Sequence, residues 1–255
     1  MSAVTEPDSN DHDLVSFDPA SVRAQNRAGT IAATAAFGLM RTATKMTVTG
    51  AEHLPAQGKA AIIAAYHANH LDPILVGLAL KRHGRMPHFL AKSSLFSGVL
   101  GTILKTIGQI PVLRASGQAG DSLEYAKDAL ANGQTVVIYP EGTLTKDPDF
   151  WPQHFKSGTA RLALETGAPI IPVAHWGLNG IYPRGSRLPR FKPLSHSCVV
   201  RFGPSLDYED LWPHREEKRA KTVLTHRLTN IIAAMVGELS NRELPARFHN
   251  KEVGE

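Results

Sequence analysis

The sequence contains a single cysteine, Cys198, among its 255 residues. One thiol cannot form an internal disulfide, and its position in the apolar run from Ser197 to Phe202 predicts a buried strand residue in a protein of the reducing cytosol. Long hydrophobic runs are lacking as well. The longest one near the N-terminus, Ile31 to Met40, is roughly half the length that spans a bilayer. We therefore expect no membrane-spanning segment.

A secretory signal is also missing, because the first twenty residues are polar and acidic and have no basic start followed by an apolar block. We expect residues 1–19 to form a disordered tail. The net charge of +5 and the pI of about 9.4 suit nucleic acid, an anionic membrane or a phosphorylated substrate. No zinc-finger spacing, RNA-binding aromatic motif or basic recognition helix is visible, so we predict no nucleic-acid partner.

Short apolar runs alternate with helical stretches along most of the chain, which is typical of an α/β sheet with helices on its faces. The predicted strands are Met46–Val48, Ala60–Ala65, His88–Ala91, Gln109–Leu113, Thr135–Tyr139, Ile170–Ala174 and Cys198–Phe202. We predict an α/β fold with a central, mostly parallel or mixed sheet over residues 46–212. A C-terminal helix and tail over residues 213–255 follow it.

An N-terminal helix is predicted over residues 20–45, where alanine is abundant and proline is absent after Val22. Its four cations fall within a sector of about 40° at 3.6 residues per turn: Arg23, Arg27, Arg41 and Lys45. A narrow basic stripe on an otherwise apolar helix suits a membrane interface, with the cations towards anionic head groups. The alternative is a helix packed on the core with a solvated basic edge.

The segment from Tyr66 to Pro73 carries the first chemical signal. It follows a predicted buried strand, and Asp-Pro is a strong helix-start signal, with Asp72 as N-cap and Pro73 at the first helical position. The turn between strand and helix can fold the Asp72 carboxylate back onto the imidazole of His67. An imidazole oriented by a carboxylate is an arrangement for general-base catalysis.

Three further blocks follow in order: Gly108-Gln109-Ile110-Pro111-Val112-Leu113-Arg114, Tyr139-Pro140-Glu141-Gly142-Thr143 and Ile170-Ile171-Pro172-Val173-Ala174. With the first block, they resemble the glycerolipid acyltransferase family, which acylates glycerol 3-phosphate and lysophosphatidic acid. The resemblance runs from about Val48 to about Asp207. It implies that His67 is the base and Asp72 its orienting partner, and that attack on the acyl donor is direct, without an acyl-enzyme. No Gly-x-Ser-x-Gly nucleophile elbow exists.

The resemblance also implies an acceptor site. It assigns Arg114 to the acceptor phosphate, because a guanidinium matches phosphate oxygens with a fork of donors. Glu141, Gly142 and Thr143 would also bind substrate, with a glycerol hydroxyl or a neighbouring cation as the expected partner of Glu141. The family's block often continues with an arginine where this chain has Leu144. Three cations are available to compensate, of which Lys92 at its strand end is the best placed: Lys92, Lys156 and Arg161.

A metal site is the alternative interpretation of His67, His70 and Asp72, but a third and fourth ligand with suitable spacing are not evident, so we predict no metal. No cofactor is expected beyond an acyl-CoA or acyl carrier protein thioester as co-substrate. The leading acceptor is 1-acylglycerol 3-phosphate, and glycerol 3-phosphate or another lysophospholipid is the alternative. A thioesterase and a non-catalytic lipid-binding protein remain open. The expected location is peripheral, on the cytoplasmic face of the cell membrane.

Overall fold

A computed structural model describes residues 38, 44–92, 109–112, 119–188, 190 and 196–249. Within this part of the chain, seven strands form one sheet in the order β1-β7-β6-β2-β5-β3-β4. Its strands are β1 (Thr44–Thr49), β2 (Ala61–Ala65), β3 (Pro87–Lys92), β4 (Ile110–Val112), β5 (Thr135–Ile138), β6 (Ile170–Trp176) and β7 (His196–Phe202). All neighbours are parallel except β6 and β7. The predicted mixed α/β fold is confirmed.

Helices cover both faces of the sheet. They are α1 (Asp72–Arg82), α2 (Ala119–Ala131), α3 (Gly158–Thr166), α4 (Leu178–Ile181) and α5 (Lys218–Ser240), with short 3-10 turns at Ala51–His53, Glu209–His214 and Ala246–Phe248. The central strand β2 is buried on both sides, with Ile62 in the core beneath α3 and α5, and Ile63 in the core beneath α1. A strand covered on both faces is expected to be a continuous apolar run, as β2 is.

The strand register determines what meets at the carboxyl edge of the sheet. Ala64 of β2 pairs with Ile138 of β5, and Ala65 pairs with Val173 of β6. The next residues along these three parallel strands therefore lie side by side. In open α/β sheets, ligands bind at this edge.

Helix α1 begins directly after this edge and ends in Lys81 and Arg82, which suit the negative end of the helix dipole. Helix α3 ends at Gly167, whose φ of +69° lies in the left-handed region that glycine adopts without strain. Among the described residues, no helix is both long and apolar enough to cross a bilayer.

The predicted N-terminal helix cannot extend to Lys45. Thr44 and Lys45 belong to β1, which pairs in parallel with β7, and its side chains alternate between buried or half-buried and exposed. This alternation has the period of a strand, and the β-branched threonines favour it. Lys45 therefore projects from a strand and is not part of a helical stripe. The rest of the predicted helix, including Arg23, Arg27 and Arg41, lies outside the described residues, except Gly38.

Candidate active site

His67 and Asp72 meet in the turn between β2 and α1. Nδ1 of His67 lies 3.1 Å from Oδ2 of Asp72. The same oxygen accepts the backbone N–H groups of Ala68 at 2.7 Å and Asn69 at 2.8 Å. The carboxylate thus closes the turn that carries the histidine and orients the imidazole with the same atom.

Asp72 is the first residue of α1, and not its N-cap as predicted. The N-cap is Leu71, whose backbone is helical and which makes no side-chain cap. The Asp72 carboxylate reaches back to N–H groups that precede the helix, so it caps the turn instead of the helix end. Its negative charge nevertheless lies in the first turn, where the helix dipole favours it.

Asp72 is fully buried. Burial by itself raises the pKa of its carboxyl group, but His175 and His67 together lower it by more, and the net pKa lies below the ordinary value of 3.8. The two backbone N–H donors also favour the ionised form. Asp72 is therefore a carboxylate at neutral pH.

An ionised carboxylate can only accept, so Nδ1 of His67 must carry the hydrogen of their contact. In the neutral imidazole, Nε2 of His67 therefore carries no hydrogen and can accept one. The imidazole packs against the ring of Tyr139, with centroids 4.5 Å apart. The His67 side chain is 20% exposed, so a substrate hydroxyl can reach it.

Glu141 supports His67 from the turn that follows the neighbouring strand β5. Its Oε1 accepts the backbone N–H of His67 at 3.0 Å, and its Oε2 accepts the backbone N–H of Gln153 at 3.3 Å. These two N–H groups are the hydrogen-bond partners of Glu141 within the described residues, and its contact with a glycerol hydroxyl or a cation stays a prediction. Glu141 is 4% exposed, and burial raises its pKa to about 7, although the two N–H donors oppose the rise.

Replacing Glu141 by Gln should change how stability depends on pH. The folded pKa of about 7 lies above the ordinary 4.5, so the carboxyl contributes stability that is complete below pH 4.5 and lost as the pH rises through about 7. Glu141→Gln removes this loss. The unfolding free energy of the variant should therefore improve relative to wild type from pH 5 to pH 8, by roughly a few kcal/mol.

The control is Glu165→Gln. Burial raises the pKa of Glu165, but Lys127 and Arg161 together lower it by more, to below 4.5, so its contribution is lost only in acid. Thermal melts at pH 5 and pH 8 should show a pH-dependent difference for Glu141→Gln and a constant difference for Glu165→Gln. Parallel behaviour of the two variants would contradict the burial of an ionisable Glu141.

Gly142 and Thr143 follow Glu141 in the turn after β5. Gly142 has a φ of +68°, and a Cβ there would lie 3.1 Å from Nζ of Lys156. Glycine at this position thus permits the left-handed turn and leaves room for the side chain of Lys156 to lie across Gly142. Thr143 is exposed. Arg161, another of the cations suggested to compensate for Leu144, is bonded to Glu165 on α3.

Two predicted substrate-binding residues are described in part or not at all. Lys92 is the last residue of β3, and Phe89 of that strand pairs with Val137 of β5. The Lys92 backbone therefore lies at the same sheet edge as Glu141, as expected. Arg114 lies outside the described residues.

A groove of about 580 Å³ opens beside the turn between β2 and α1 that carries His67. Its walls include Ala68, His70, Thr143, Lys146 and Tyr182. His70 is exposed at the rim next to the ring of Tyr182. Among the described residues, no group of three or more side chains of His, Cys, Asp or Glu is placed to hold a metal ion.

Arg184 anchors the far wall of the groove. Its guanidinium donates to the carbonyls of Thr145 at 2.8 Å and Asp147 at 2.7 Å, and it lies over the ring of Phe150. These contacts hold Arg184 to the protein, although the residue is exposed.

Two polar residues of the site were not predicted from the sequence. Asn69 is buried; its side chain donates to the carbonyl of Tyr182 at 2.8 Å and accepts the N–H of Leu71 at 3.1 Å. His175 lies at the end of β6, with Nε2 3.5 Å from Oδ1 of Asp72. The available signal for His175 was a histidine directly after the apolar fourth block.

The chain belongs to the acyltransferase family. A family model described as Acyltransferase matches residues 45–176, just over half of the chain. The match contains β2 to β6, all of β1 except Thr44, and the residues His67, Asp72 and Glu141. The resemblance found in the four sequence blocks is confirmed at the level of the family.

Curated relatives carry more specific names. A chloroplastic 1-acyl-sn-glycerol-3-phosphate acyltransferase, BAT2 of Brassica napus, is 31% identical over 144 residues, which is 56% of this chain and 40% of that protein. The human 1-acyl-sn-glycerol-3-phosphate acyltransferase alpha is 28% identical over 173 residues, covering 66% of this chain and 57% of that protein. The matched regions thus span only about 40% to 57% of these two relatives.

The fold is similar to a solved structure. The crystal structure of the 1-acyl-sn-glycerophosphate acyltransferase PlsC from Thermotoga maritima superposes with a TM-score of 0.61 and 22% identity. The superposition covers 87% of this chain and 80% of that one. At this identity the likeness supports the shared fold, and the chemistry must be argued from the site.

Proposed function

We propose that this protein transfers a fatty acyl group from an acyl thioester to the free hydroxyl of 1-acylglycerol 3-phosphate, which gives phosphatidic acid. The observation that carries the proposal is the accessible imidazole of His67, oriented by the buried Asp72 at the ligand-binding edge of the sheet. Membership of the acyltransferase family supports the reaction class. The names of the curated relatives support the acceptor.

His67 removes the proton of the acceptor hydroxyl through Nε2 while the oxygen attacks the thioester carbonyl. The imidazolium is stabilised by the Asp72 carboxylate at 3.1 Å. The tetrahedral intermediate then collapses, the carbon–sulfur bond breaks, and His67 returns the proton to the leaving thiolate. The acyl group has then moved from sulfur to oxygen, and the proton has moved from the hydroxyl to the thiol. The enzyme is back in its starting state.

The only cysteine is unsuited to act as a nucleophile. Cys198 lies fully buried in β7, as predicted, and burial raises the pKa of its thiol to about 11. A thiol of this kind is neither ionised near neutral pH nor in reach of a substrate. Direct transfer to the acceptor, without an acyl-enzyme, is therefore part of the proposal.

The groove beside His67 is our candidate for the acceptor. Lys146 and Thr143 are exposed on its wall, and Lys156 lies across the adjacent Gly142 turn. Neither lysine makes an ion pair within the described residues. Unpaired ammonium groups beside a base suit an acceptor that carries a phosphate.

Arg114→Ala should raise the apparent KM for the phosphorylated acceptor and leave the KM for the thioester nearly unchanged. We assign Arg114 to the acceptor phosphate, and the loss of such a contact weakens ground-state and transition-state binding together. Arg114→Lys should recover only part of the loss, because an ammonium cannot make a two-pronged contact. Initial rates with each substrate varied in turn measure both values. Selective weakening of the thioester would place Arg114 at the donor instead.

An acceptor panel distinguishes the proposal from its alternatives. Purified protein should be given labelled acyl-CoA or acyl carrier protein thioester with 1-acylglycerol 3-phosphate, glycerol 3-phosphate or other lysophospholipids, and the products identified. The proposal predicts labelled phosphatidic acid as the main product. Release of free fatty acid without an acceptor would favour a thioesterase, and no thioester consumption would favour a lipid-binding protein.

We also propose a peripheral location on the cytoplasmic face of the cell membrane, at an anionic surface. Leu188 is 77% exposed and stands between the exposed Arg187 and Arg190. Each cation near an anionic surface contributes on the order of 1 kcal/mol, which salt weakens. Co-sedimentation with phosphatidylserine vesicles should therefore fall several-fold in the double variant R187Q/R190Q.

The matched control is Arg219→Gln, an exposed cation on α5, which should bind like wild type. Raising the salt concentration should reduce the difference in vesicle binding between R187Q/R190Q and wild type. Equal binding of all three proteins at low salt would mean that this loop does not contact the membrane.

A further inference from the structure

His175 lies on the opposite side of Asp72 from the base. It is 1% exposed and is the sixth residue of β6. Since Ala65 pairs with Val173, His67 and His175 each stand two residues beyond that pair. The register thus places a second histidine level with the first, at the same edge of the sheet.

The ring of His175 is held by Tyr66 as well as by Asp72. Its Nε2 lies 3.2 Å from the carbonyl oxygen of Tyr66 and 3.5 Å from Oδ1 of Asp72. The Tyr66 ring stacks on the imidazole, with centroids 4.6 Å apart and planes within 18°. The Tyr66 hydroxyl donates to the carbonyl of His175 at 2.8 Å. The ring therefore has a defined position and a defined edge towards Asp72.

The identity of the two oxygens fixes the tautomer. A backbone carbonyl and an ionised carboxylate can only accept, so Nε2 of His175 must carry a hydrogen shared between them. The two oxygens of Asp72 then face different hydrogen-bond donors. Oδ2 takes the three donors of the turn, including Nδ1 of His67, whereas Oδ1 has no hydrogen bond of ordinary length within the described residues. Nε2 of His175 lies 3.5 Å from Oδ1.

We propose that His175 is a positioning residue, which holds the second oxygen of Asp72 through Nε2–H so that the carboxylate keeps Oδ2 on His67. This inference rests on the proposed acyl transfer, in which His67 gains and loses a proton at each turnover. Asp72 must stay ionised and fixed while that charge appears. A buried carboxylate oxygen without a donor would favour rotation of the group or its protonation.

The charged and titratable groups around His175 are consistent with this role. Asp72 and Glu141 face it as acids, His67 lies beyond Asp72, Tyr66 covers its ring, and Arg242 packs on the neighbouring Trp176. Burial lowers the pKa of His175, but the two acids and the Tyr66 carbonyl raise it by more, so that the net pKa lies above 6.5. Both of its protonation states carry a hydrogen on Nε2.

Two variants at this position separate positioning from packing. His175→Phe keeps a ring on Tyr66 and removes the donor, whereas His175→Gln offers an amide N–H close to the place of Nε2. For His175→Phe we expect kcat to fall by about tenfold to a hundredfold, as for other partners that orient a functional group. Both KM values should change little, because no substrate contact is lost. His175→Gln should recover most of the lost kcat.

The pH profile of kcat/KM gives a readout that packing alone would not move. When His175 is replaced, it no longer lowers the pKa of Asp72. The pair of Asp72 and His67 then holds its shared proton more strongly. The acidic limb of the profile should therefore move to higher pH by about one unit in His175→Phe. It should move by less in His175→Gln, which restores the Nε2–H donor but not the positive charge that His175 places beside Asp72.

Equal losses in the two variants with an unmoved acidic limb would overturn the proposal, as would a fully active His175→Phe. If His175→Phe does not fold, nitrogen NMR of the wild-type imidazole decides. The proposal requires a proton on Nε2 of His175 from pH 7 to pH 9, and a proton on Nδ1 alone would contradict it. A wild-type protein that acylates no acceptor would instead sink the proposed function, and the NMR result would remain interpretable.

Discussion

His67→Ala should lower the turnover of acyl transfer by roughly two to four orders of magnitude, which is the usual size of a lost general base. An alcohol is a poor nucleophile unless its proton is removed. His67 is the member of the His67–Asp72 pair that a substrate can reach, because its side chain is 20% exposed and that of Asp72 is buried. The backbone N–H of His67 still donates to Glu141 in the variant. The fold should therefore persist, with a thermal midpoint close to that of wild type.

The matched control for this variant is His70→Ala, since His70 is exposed at the rim of the same groove, where its ring lies beside that of Tyr182. Its turnover should change by much less than that of His67→Ala. Acyl transfer and melting are measured on the same preparations. A folded His67→Ala protein with near-normal turnover would remove His67 from the mechanism.

Asp72→Asn should have the second-largest effect, a loss of roughly two to four orders of magnitude in kcat. An amide has one acceptor oxygen and carries no charge. In one orientation the amide oxygen accepts from the N–H groups of the turn and from His67, so the NH2 group faces the donor Nε2 of His175. In the reversed orientation the NH2 group faces the N–H donors of the turn. The imidazolium of His67 also loses its counter-charge.

Asp72→Asn should lose stability as well, with a characteristic pH dependence. The folded pKa of Asp72 lies below 3.8, so its contribution is present above pH 3.8 and lost as the pH falls through the folded pKa. The difference in melting temperature between wild type and variant should therefore shrink in strong acid. An equally large difference at pH 7 and pH 3 would contradict an ionised, paired Asp72.

The strands could be predicted from the sequence because each is a short apolar run between turn signals. The local step from β2 through His67 to Asp72 could also be predicted, since a turn of this length brings both side chains together. The structure confirms this contact at 3.1 Å. Sequence patterns are informative here because the interaction lies within six residues of chain.

The errors arise where distant segments decide the outcome. Lys45 was predicted in a helix, but pairing of β1 with β7, about 150 residues away, makes it a strand residue. The hydrogen bond of Glu141 to the N–H of His67 was not predicted, because it follows from the register between β2 and β5; the role of Glu141 in substrate binding stays a prediction. His175 was missed for the same reason. Its role depends on the register between β2 and β6, which no local pattern reveals.

One measurement tests directly whether His67 activates the hydroxyl of a lysophospholipid. Wild type and His67→Ala should each be incubated with acyl-labelled thioester, with and without 1-acylglycerol 3-phosphate, and the labelled products separated and identified. We predict that wild type forms labelled phosphatidic acid only when the acceptor is present, and that His67→Ala forms almost none under either condition. Labelled phosphatidic acid from His67→Ala at the wild-type rate, or acceptor-independent thioester consumption by wild type, would contradict the claim.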